Sequence, residues 1–428
     1  MKNSYFHSNL FILTFEHKNK KIKEEIITME NYFVTKMESY DSEKGEIYKL
    51  KIGSEKYEIF VKDGFLYYPK NFLVKNNKNE YSYNNVQNNI DSNKTNYIRP
   101  CGLYNVGGVC YMNAILQCFF YCKPLTDFFL GLYNSQNLGQ ISKGYYHFIK
   151  GLSSGNKDAA KNFKKAITYM DDMFYGTEGN DSKDVAILIL SEIHNELKPN
   201  KKDEIIKLEN RKVNNYNIYD VYSEKLELDR INGNSTIITK TFNFWLKYEQ
   251  KCASVNCKKY SKPYFTIESD NIVILELETL FARDNMNISV EDILKSYTSP
   301  KKIECPYCQK KSLYMTNKFF ILPKILILVL SRGYHNKFKC RIKFNETLDM
   351  NNYYDPINNE GYINTEYKLI GATFAYDWNY EGTGHTVAFC KTYENNNYYV
   401  FNDSSVRKTQ INEIYGKLPY ILFYERQN

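Results

Sequence analysis

Hydrophobic and polar residues alternate along the first part of the chain, with the period that half-buried β-strands show. The clearest stretches are EIYKLKIG and KYEIFVKDGFLYY, and Asp63-Gly64 in the second favours a hairpin turn. Residues 1–75 are therefore predicted to form a small strand-rich module. Residues 76–96 are rich in asparagine and show no hydrophobic periodicity, so we interpret them as a linker.

Helical spacing replaces the alternation from about residue 97. The first predicted helix follows Cys110 and shares one apolar face among Met112, Leu116, Phe119 and Phe120. A second helix begins after Asp181, a good N-cap with Asp184 three residues later, as in a capping box. Its apolar stripe recurs at i, i+4, i+8 and i+12, at Val185, Ile189, Ile193 and Leu197.

Strand patterns dominate from about residue 235 to the end of the chain. The most apolar run, FFILPKILILVL at 319–330, is too short to span a bilayer and contains Pro323 and Lys324. We interpret it as one fully buried strand. Because helices come first and strands later, the predicted fold class is α+β rather than a doubly wound parallel sheet.

Composition narrows the functional classes. The chain has 428 residues, of which 43% are hydrophobic and 16% aromatic, and its formal net charge is +8. These values are typical of a globular protein with a large core. Dense runs of Lys and Arg are missing from the sequence, so we expect neither a nucleic-acid partner nor a membrane partner. Ten cysteines with paired spacings favour metal binding over disulfides, and therefore an intracellular location.

Two cysteine pairs have the spacing of metal-binding knuckles. They occur in CASVNC, which holds Cys252 and Cys257, and in CPYC, which holds Cys305 and Cys308. Tetrahedral zinc is bound by four thiolates from two such pairs, and four protein ligands leave no position open for water. The sequence therefore predicts a structural zinc site. The alternative is a pair of knuckles without metal.

Cys110 stands where a nucleophile could be activated. In GLYNVGGVCYMNAILQ it opens a helix, whose unpaired N–H groups and dipole favour the reactive thiolate. Gly107 and Gly108 allow close approach of a substrate backbone, and the Asn105 amide could donate to an oxyanion. The alternative is a buried structural cysteine.

His385 is the best candidate for the base that a thiol nucleophile needs. In GTGHTVAFCKTYENNNYYVFNDSS it begins a strand whose return strand ends at Asn402 and Asp403. A turn near Tyr393 sets His385 opposite Asn402, whereas a slip of one residue favours Asp403, so both stay candidates. Cys, His and Asn or Asp in this chain order are the arrangement of papain-like thiol hydrolases.

These segments together resemble the ubiquitin-specific protease family over roughly residues 100–426. GLYNVGGVCYMNAILQ resembles its Cys box, GTGHTVAF with YYVFNDSSV its His box, and NDSKDVAILILSEIHNEL the helix between them. The resemblance implies a papain-like cysteine protease fold over 97–428, with a helical thumb and a β palm. It also implies zinc-ribbon β fingers inserted at about 235–325.

The resemblance further implies a role for each matched residue. Ubiquitin and ubiquitinated proteins would be the partners, and the bond after the C-terminal Gly-Gly of ubiquitin would be hydrolysed through a thioester. By this resemblance Asn105 is the oxyanion donor, and Asp181 faces the ubiquitin tail. The catalytic set is Cys110 as nucleophile, His385 as base, and Asn402 as the third member, supported by Asp403. The substrate-binding glycines are Gly107, Gly108 and Gly384.

Two other functions remain open at this point. Gly108 and Val109 replace the Asn-Thr usual in the family, which is compatible with a catalytically weak ubiquitin-binding scaffold. The same motifs are also compatible with a protease for another ubiquitin-like modifier.

Overall fold

The computed structural model divides the chain into one unit of residues 1–94 and another of residues 95–428. In the first unit it describes the backbone of strands between Phe6 and Tyr67. In the second it describes residues 100–177, 179–198, 213–280, 287–333, 338, 340–356, 363–376, 384–393, 396–415 and 417–427. The predicted linker at 76–96 and both of its boundaries lie outside the described residues.

The N-terminal strands form two antiparallel sheets, as their alternating sequence predicts. The first contains β1 Phe6–His7, β2 Leu10–His17 and β3 Lys20–Ile27. The second contains β4 Tyr32–Asp41, β5 Gly45–Ile52, β6 Glu55–Lys62 and β7 Phe65–Tyr67. Lys62 pairs with Phe65, so β6 and β7 form the hairpin predicted on either side of Asp63-Gly64.

Helices make up most of the first half of the second unit. They are α1 Cys110–Phe120, α2 Lys123–Gly131, α3 Gln140–Ser153, α4 Ala159–Met170, α5 Ser182–Leu197, α6 Ile218–Ile231, α7 Ile237–Phe242 and, within the later strands, α8 Val290–Thr298. Every residue of α1 is buried, because this helix packs against the central sheet on one side and α5 on another. The prediction of a single apolar face therefore underestimated how much of α1 is buried. Among the described residues, none of the helices has both the length and the apolar character needed to cross a membrane.

The second predicted helix corresponds to α5, and its apolar stripe is in the core. Val185, Ile189 and Ile193 are completely buried, whereas Leu197, the last predicted member, is partly buried and packs against the same core. Asp181 is the N-cap, but it accepts a hydrogen bond from the Lys183 amide at 2.8 Å and not from the residue at 184. The predicted capping box is therefore wrong.

A large central sheet forms the palm. Its strands are β10 Val273–Glu276, β14 Ile325–Ser331, β16 Thr347–Asp349, β17 Glu366–Tyr376, β18 His385–Lys391, β19 Tyr398–Asn402, β20 Ser405–Thr409 and β21 Leu418–Arg426. They follow the order β10-β14-β21-β17-β18-β19-β20, with β16 paired to β17. β14 is buried on both faces between β10 and β21, which explains why its sequence is apolar without alternation.

The run at 319–330 belongs to two strands and not to the single strand that was predicted. β13 Leu313–Ile321 ends before Pro323, and β14 starts after Lys324. Proline cannot donate a ladder hydrogen bond, so the apolar run breaks there and its halves join different sheets.

A second sheet of four strands corresponds to the predicted fingers. It contains β8 Phe244–Cys252, β9 Tyr264–Asp270 and β12 Lys301–Ile303 together with β13, in the order β12-β13-β8-β9. A short parallel pair, β11 Asn287–Ser289 and β15 Arg341–Lys343, lies beside α8. Helices mainly precede strands, so the predicted α+β class is confirmed.

Candidate active site

The loop before α1 brings Cys110 to the start of the helix. Gly107 and Gly108 have φ angles of 78° and 66°, in the left-handed region that favours glycine. A Cβ atom on Gly107 would lie 2.9 Å from Cγ2 of Thr177. The backbone conformation and this close packing therefore require glycine at 107, whether or not substrate approaches there.

Cys110 is the first residue of α1 and is only 8% exposed. Burial raises the pKa of its thiol above the ordinary value, and a hydrogen bond from the backbone of Thr386 opposes that shift. The nearby negative charge of Asp403 raises the pKa further. The thiol form is thus favoured in this state, contrary to the thiolate that the helix N-terminus alone predicts, because burial cannot be read from the local sequence.

His385 begins β18 and contacts the residue that was its first predicted partner. Its Nε2 atom lies 2.6 Å from Oδ1 of Asn402 and 3.8 Å from Oδ2 of Asp403. Thr386, the next residue, hydrogen-bonds to the Cys110 thiol, so the chain segment that carries the imidazole lies against the nucleophile. The structure therefore brings the predicted thiol, imidazole and carboxamide segments to one site.

The strand register behind this contact differs from the predicted one. β18 and β19 pair Lys391 with Tyr398 and Ala388 with Phe401. His385 is therefore displaced by two residues from a position directly opposite Asn402. A shift of two keeps both side chains on the same face of the sheet, so the contact forms diagonally.

Asp403 accepts hydrogen bonds from two asparagines, one in the loop before Cys110 and one in α1. Its Oδ2 accepts a hydrogen bond from Nδ2 of Asn105 at 3.0 Å, and its Oδ1 accepts one from Nδ2 of Asn113 at 2.8 Å. Oδ1 of Asn105 accepts a hydrogen bond from the Val109 amide at 2.9 Å. Geometry thus separates the two candidates: Asn402 contacts the imidazole directly, while Asp403 orients Asn105.

Asn113 was missed by sequence reasoning. It is 2% exposed inside an otherwise largely apolar helix, and an amide at such a position needs hydrogen-bond partners. A polar side chain within an apolar helical run was the available signal. Its partner on the distant β19–β20 turn could not be identified from the sequence.

Asp181 lies beside the residue that follows the nucleophile. The Tyr420 hydroxyl donates to this carboxylate, with its oxygen 2.6 and 2.7 Å from the two carboxylate oxygens. Ser182 donates to the backbone carbonyl of Tyr111 at 3.1 Å, which holds the start of α5 against α1. Burial raises the pKa of Asp181 despite the hydrogen bonds from Tyr420 and Lys183. Tyr420 is a second residue of the site that sequence reasoning missed.

Gly384 immediately precedes β18 and is exposed. The residues before it, 377–383, lie outside the described part of the chain. Its predicted role in substrate binding stays a prediction.

The four predicted metal ligands form one cluster at the end of the fingers. Sγ of Cys252 lies 3.8 Å from Sγ of Cys308, and Sγ of Cys257 lies 3.7 Å from Sγ of Cys305. All four sulfur atoms lie within 4.8 Å of one another. With Zn–S bonds of ~2.3 Å, the edge of a tetrahedron of thiolates is about 3.8 Å. The donors and their spacing therefore fit a tetrahedral metal ion.

Comparison with known proteins identifies the family. The family model described as ubiquitin carboxyl-terminal hydrolase matches residues 101–424. Ubiquitin carboxyl-terminal hydrolase 3 of Homo sapiens is 26% identical over 383 residues, covering 77% of this chain and 68% of the human protein. Ubiquitin carboxyl-terminal hydrolase 16 of Arabidopsis thaliana is 24% identical over 351 residues, covering 77% of this chain but 30% of its own length. The chain thus spans less than a third of the plant relative.

Solved structures share the fold. The SAGA Ubp8/Sgf11/Sus1/Sgf73 DUB module bound to ubiquitin aldehyde matches with a TM-score of 0.59 and 18% identity, over 78% of this chain and 71% of the other. A variant of the same module bound to monoubiquitin matches with a TM-score of 0.56 and 19% identity, over 77% and 69%. These likenesses confirm the predicted arrangement of thumb, palm and fingers. Since the family model covers most of the chain and the fold agrees with it, this protein belongs to the ubiquitin carboxyl-terminal hydrolase family.

Proposed function

We propose that this protein is a deubiquitinase, which hydrolyses the isopeptide or peptide bond after the C-terminal Gly-Gly of ubiquitin. The observation that carries the proposal is the hydrogen-bonded connection of the two motifs: His385 lies 2.6 Å from Asn402, and the next residue, Asp403, accepts hydrogen bonds from Asn105 and Asn113 on either side of Cys110. Membership of the family supports the same reaction. Ubiquitin and ubiquitinated proteins are the proposed partners.

Proton transfer follows from the orientation of the His385 ring. Asn402 offers its amide oxygen to Nε2, so Nε2 carries the hydrogen and Nδ1 is left as the basic nitrogen. In the proposed reaction Nδ1 takes the proton of Cys110, and Sγ attacks the carbonyl carbon of the terminal glycine. The imidazolium then protonates the leaving amine, and a thioester remains.

Hydrolysis of the thioester reverses these roles. His385 removes a proton from water, the resulting hydroxide attacks the thioester carbonyl, and Cys110 leaves with the proton returned through the ring. The oxyanion of both steps is bound by the Cys110 amide at the helix N-terminus and by Asn105. Nδ2 of Asn105 has two hydrogens, one of which is donated to Asp403, so the other is left for the oxyanion.

The roles of Asp181 and the glycines in substrate binding are part of this proposal. The half-buried carboxylate of Asp181, close to Tyr111, is suited to a cationic side chain of the ubiquitin tail. Gly107 and Gly108 leave room for a substrate whose own terminus is two glycines. An intracellular location is proposed as well, supported by ten cysteines of which none forms a disulfide.

Zinc is the proposed occupant of the Cys252, Cys257, Cys305 and Cys308 cluster. Four thiolates with tetrahedral spacing support this metal over the harder cations that prefer oxygen ligands. Bound zinc would join the two knuckles of the fingers and supply no chemistry to the reaction, because its coordination would be complete.

Covalent labelling tests the function. Ubiquitin with a C-terminal electrophile should form a stable adduct with the wild-type protein, and Cys110→Ala should abolish the adduct. Binding of ubiquitin without labelling would instead identify a ubiquitin-binding scaffold. Labelling only by another ubiquitin-like modifier would reassign the substrate.

A further inference from the structure

A cavity of about 730 Å³ lies between α4 and the loop that leads to Cys110. Val106, Val109 and Met112 form one wall, and Ala160 and Thr168 belong to the wall on α4. Val109 is directly bonded to the nucleophilic residue. A side chain that enters this cavity therefore lies next to the proposed site of reaction.

The rim of this cavity exposes large side chains. Tyr169 is 79% exposed and Tyr175 is 76% exposed, and both line the cavity with the half-exposed Tyr104. Contiguous exposed apolar side chains around a concave site mark an interaction surface. We call the cavity and these three tyrosines the thumb surface.

The thumb surface lies on a different side of α1 from Asp181. Tyr111 faces the start of α5, where Ser182 donates to its carbonyl. Val109, two residues earlier, lines the cavity. Met112, which follows Tyr111 within α1, also lines the cavity, and neighbouring residues of a helix point about 100° apart. A ubiquitin tail that passes Asp181 would therefore leave the thumb surface uncovered.

The cavity wall is tied to the catalytic loop. Nζ of Lys164, on α4, donates to the Gly176 carbonyl at 2.7 Å and lies 3.5 Å from the Gly107 carbonyl. Cations also outnumber anions on the wall, with Lys161, Lys164 and Lys165 against two aspartates. This excess favours a partner with acidic side chains.

We infer that the thumb surface binds the polypeptide on the leaving side of the scissile bond, namely the protein whose lysine carries ubiquitin. The preferred segment has an apolar side chain for the cavity and acidic residues beside the modified lysine. This inference rests on the proposed deubiquitinase function, since the leaving side is defined by that reaction.

Three substrates separate the leaving side from the ubiquitin side. One is an aminocoumarin amide of ubiquitin, whose leaving group is a small dye. The second is ubiquitin joined through an isopeptide bond to a lysine peptide with leucine and two glutamates beside the lysine. In the third, serine and glutamines replace those residues. We expect kcat/KM of the wild-type protein to be about tenfold higher for the leucine peptide than for the serine peptide.

Variants of the rim then test the surface itself. Tyr169→Ser and Tyr175→Ser change exposed side chains that line the cavity, and each should remove most of the preference for the leucine peptide. Lys165→Glu should reduce the contribution of the two glutamates. Tyr133→Ser is the matched control, because Tyr133 is a 97% exposed tyrosine that does not line the cavity. This control should keep the wild-type preference.

Each other result overturns the inference in a distinct way. Equal kcat/KM for both peptides in the wild type would show that the leaving side is not recognised. An equal loss on all three substrates in Tyr169→Ser would assign the surface to ubiquitin or to the catalytic loop. A change of oligomeric state in sedimentation would assign it to a second copy of the chain. If the wild type cleaves neither peptide nor the coumarin amide, the proposed function itself fails.

Discussion

Asp403 shows how one carboxylate can organise a site without contacting the nucleophile. It has a φ of 49°, and its two oxygens accept hydrogen bonds from Asn105 and Asn113. Asn105 in turn holds the amide of Val109, next to the nucleophile. The oxyanion donor is therefore positioned by a residue that lies far away in the sequence and next to the partner of the imidazole.

Substitution of Asp403 tests this positioning role. Asp403→Ala removes the acceptor of the Asn105 amide and one of the two acceptors of the Asn113 amide, and kcat should fall by about 10²-fold, the loss typical of one oxyanion donor. Asp403→Asn keeps one acceptor oxygen and tolerates a positive φ, so it should lose much less. The kinetics of coumarin amide cleavage measure both. A larger change in KM than in kcat for Asp403→Ala would contradict a role in the transition state.

The buried thiol of Cys110 predicts a specific pH dependence. Because the pKa of the thiol is raised by burial, the thiolate fraction in the resting protein is small at pH 7 and grows as the pH increases. The rate of Cys110 alkylation by iodoacetamide should therefore rise steadily from pH 7 to about pH 9. The Cys110→Ala variant measures how much of the alkylation occurs at the other cysteines. A rate that is already constant below pH 7 would indicate a preformed thiolate–imidazolium pair instead.

The N-terminus of one thumb helix, α3, is capped by a side chain from another helix, α5. α3 begins after Gly139, which has no side chain to cap it, and Glu196 of α5 accepts hydrogen bonds from the Ile141 and Ser142 amides at 2.9 and 2.6 Å. A Cβ atom on Gly139 would lie 2.5 Å from Cγ of Glu196. The glycine is thus required for the close approach of a cap from another helix.

Removal of this cap should destabilise the thumb. Glu196→Ala leaves two N-terminal amides of α3 without an acceptor and should lower the free energy of unfolding by about 1–2 kcal/mol, as for other lost caps. Glu196→Gln retains one acceptor oxygen and should cost less. Urea denaturation measures both. Glu192→Ala, the same change one turn earlier on α5, is the control, and an equal loss there would argue against capping.

The strand sequences also show which properties of a strand can be predicted from neighbouring residues alone. The β14 sequence is apolar throughout because the strand is covered on both faces, and this burial was predicted from the run itself. The break before β14 depends on Pro323, which is visible in the sequence, but the assignment of the two halves to different sheets is not. Sheet membership is decided by long-range pairing, which local periodicity does not encode.

At the scale of the whole molecule, the stability of the fingers depends on the cysteine cluster. Its small hydrophobic core contains Tyr260 and Leu313 beside the four cysteines, too few residues to be stable alone. The proposed zinc ion would therefore supply much of the local folding free energy.

Metal removal tests that dependence. The purified protein should contain about one zinc ion per chain by elemental analysis. Chelation or Cys305→Ser should lower the melting temperature and expose amides of β8 and β13 to hydrogen exchange. Cys340→Ser changes a buried cysteine outside the cluster and is the control for thiol loss alone. Zinc-free protein with an unchanged melting curve would contradict the metal assignment.

Residue types and their order carried the chemistry of this protein: a cysteine at a helix start, a histidine at a strand start, and paired cysteines at knuckle spacing. These features are local, because capping, turns and ligand spacing involve neighbours in the chain. The contacts between them depended on tertiary structure. Burial raises the pKa of the Cys110 thiol. His385 contacts Asn402 although the strand register differs by two residues from the predicted one. Asp403 accepts a hydrogen bond from Asn113, which lies far away in the sequence. Such contacts arise from packing between segments far apart in the chain, so no window of sequence contains both partners.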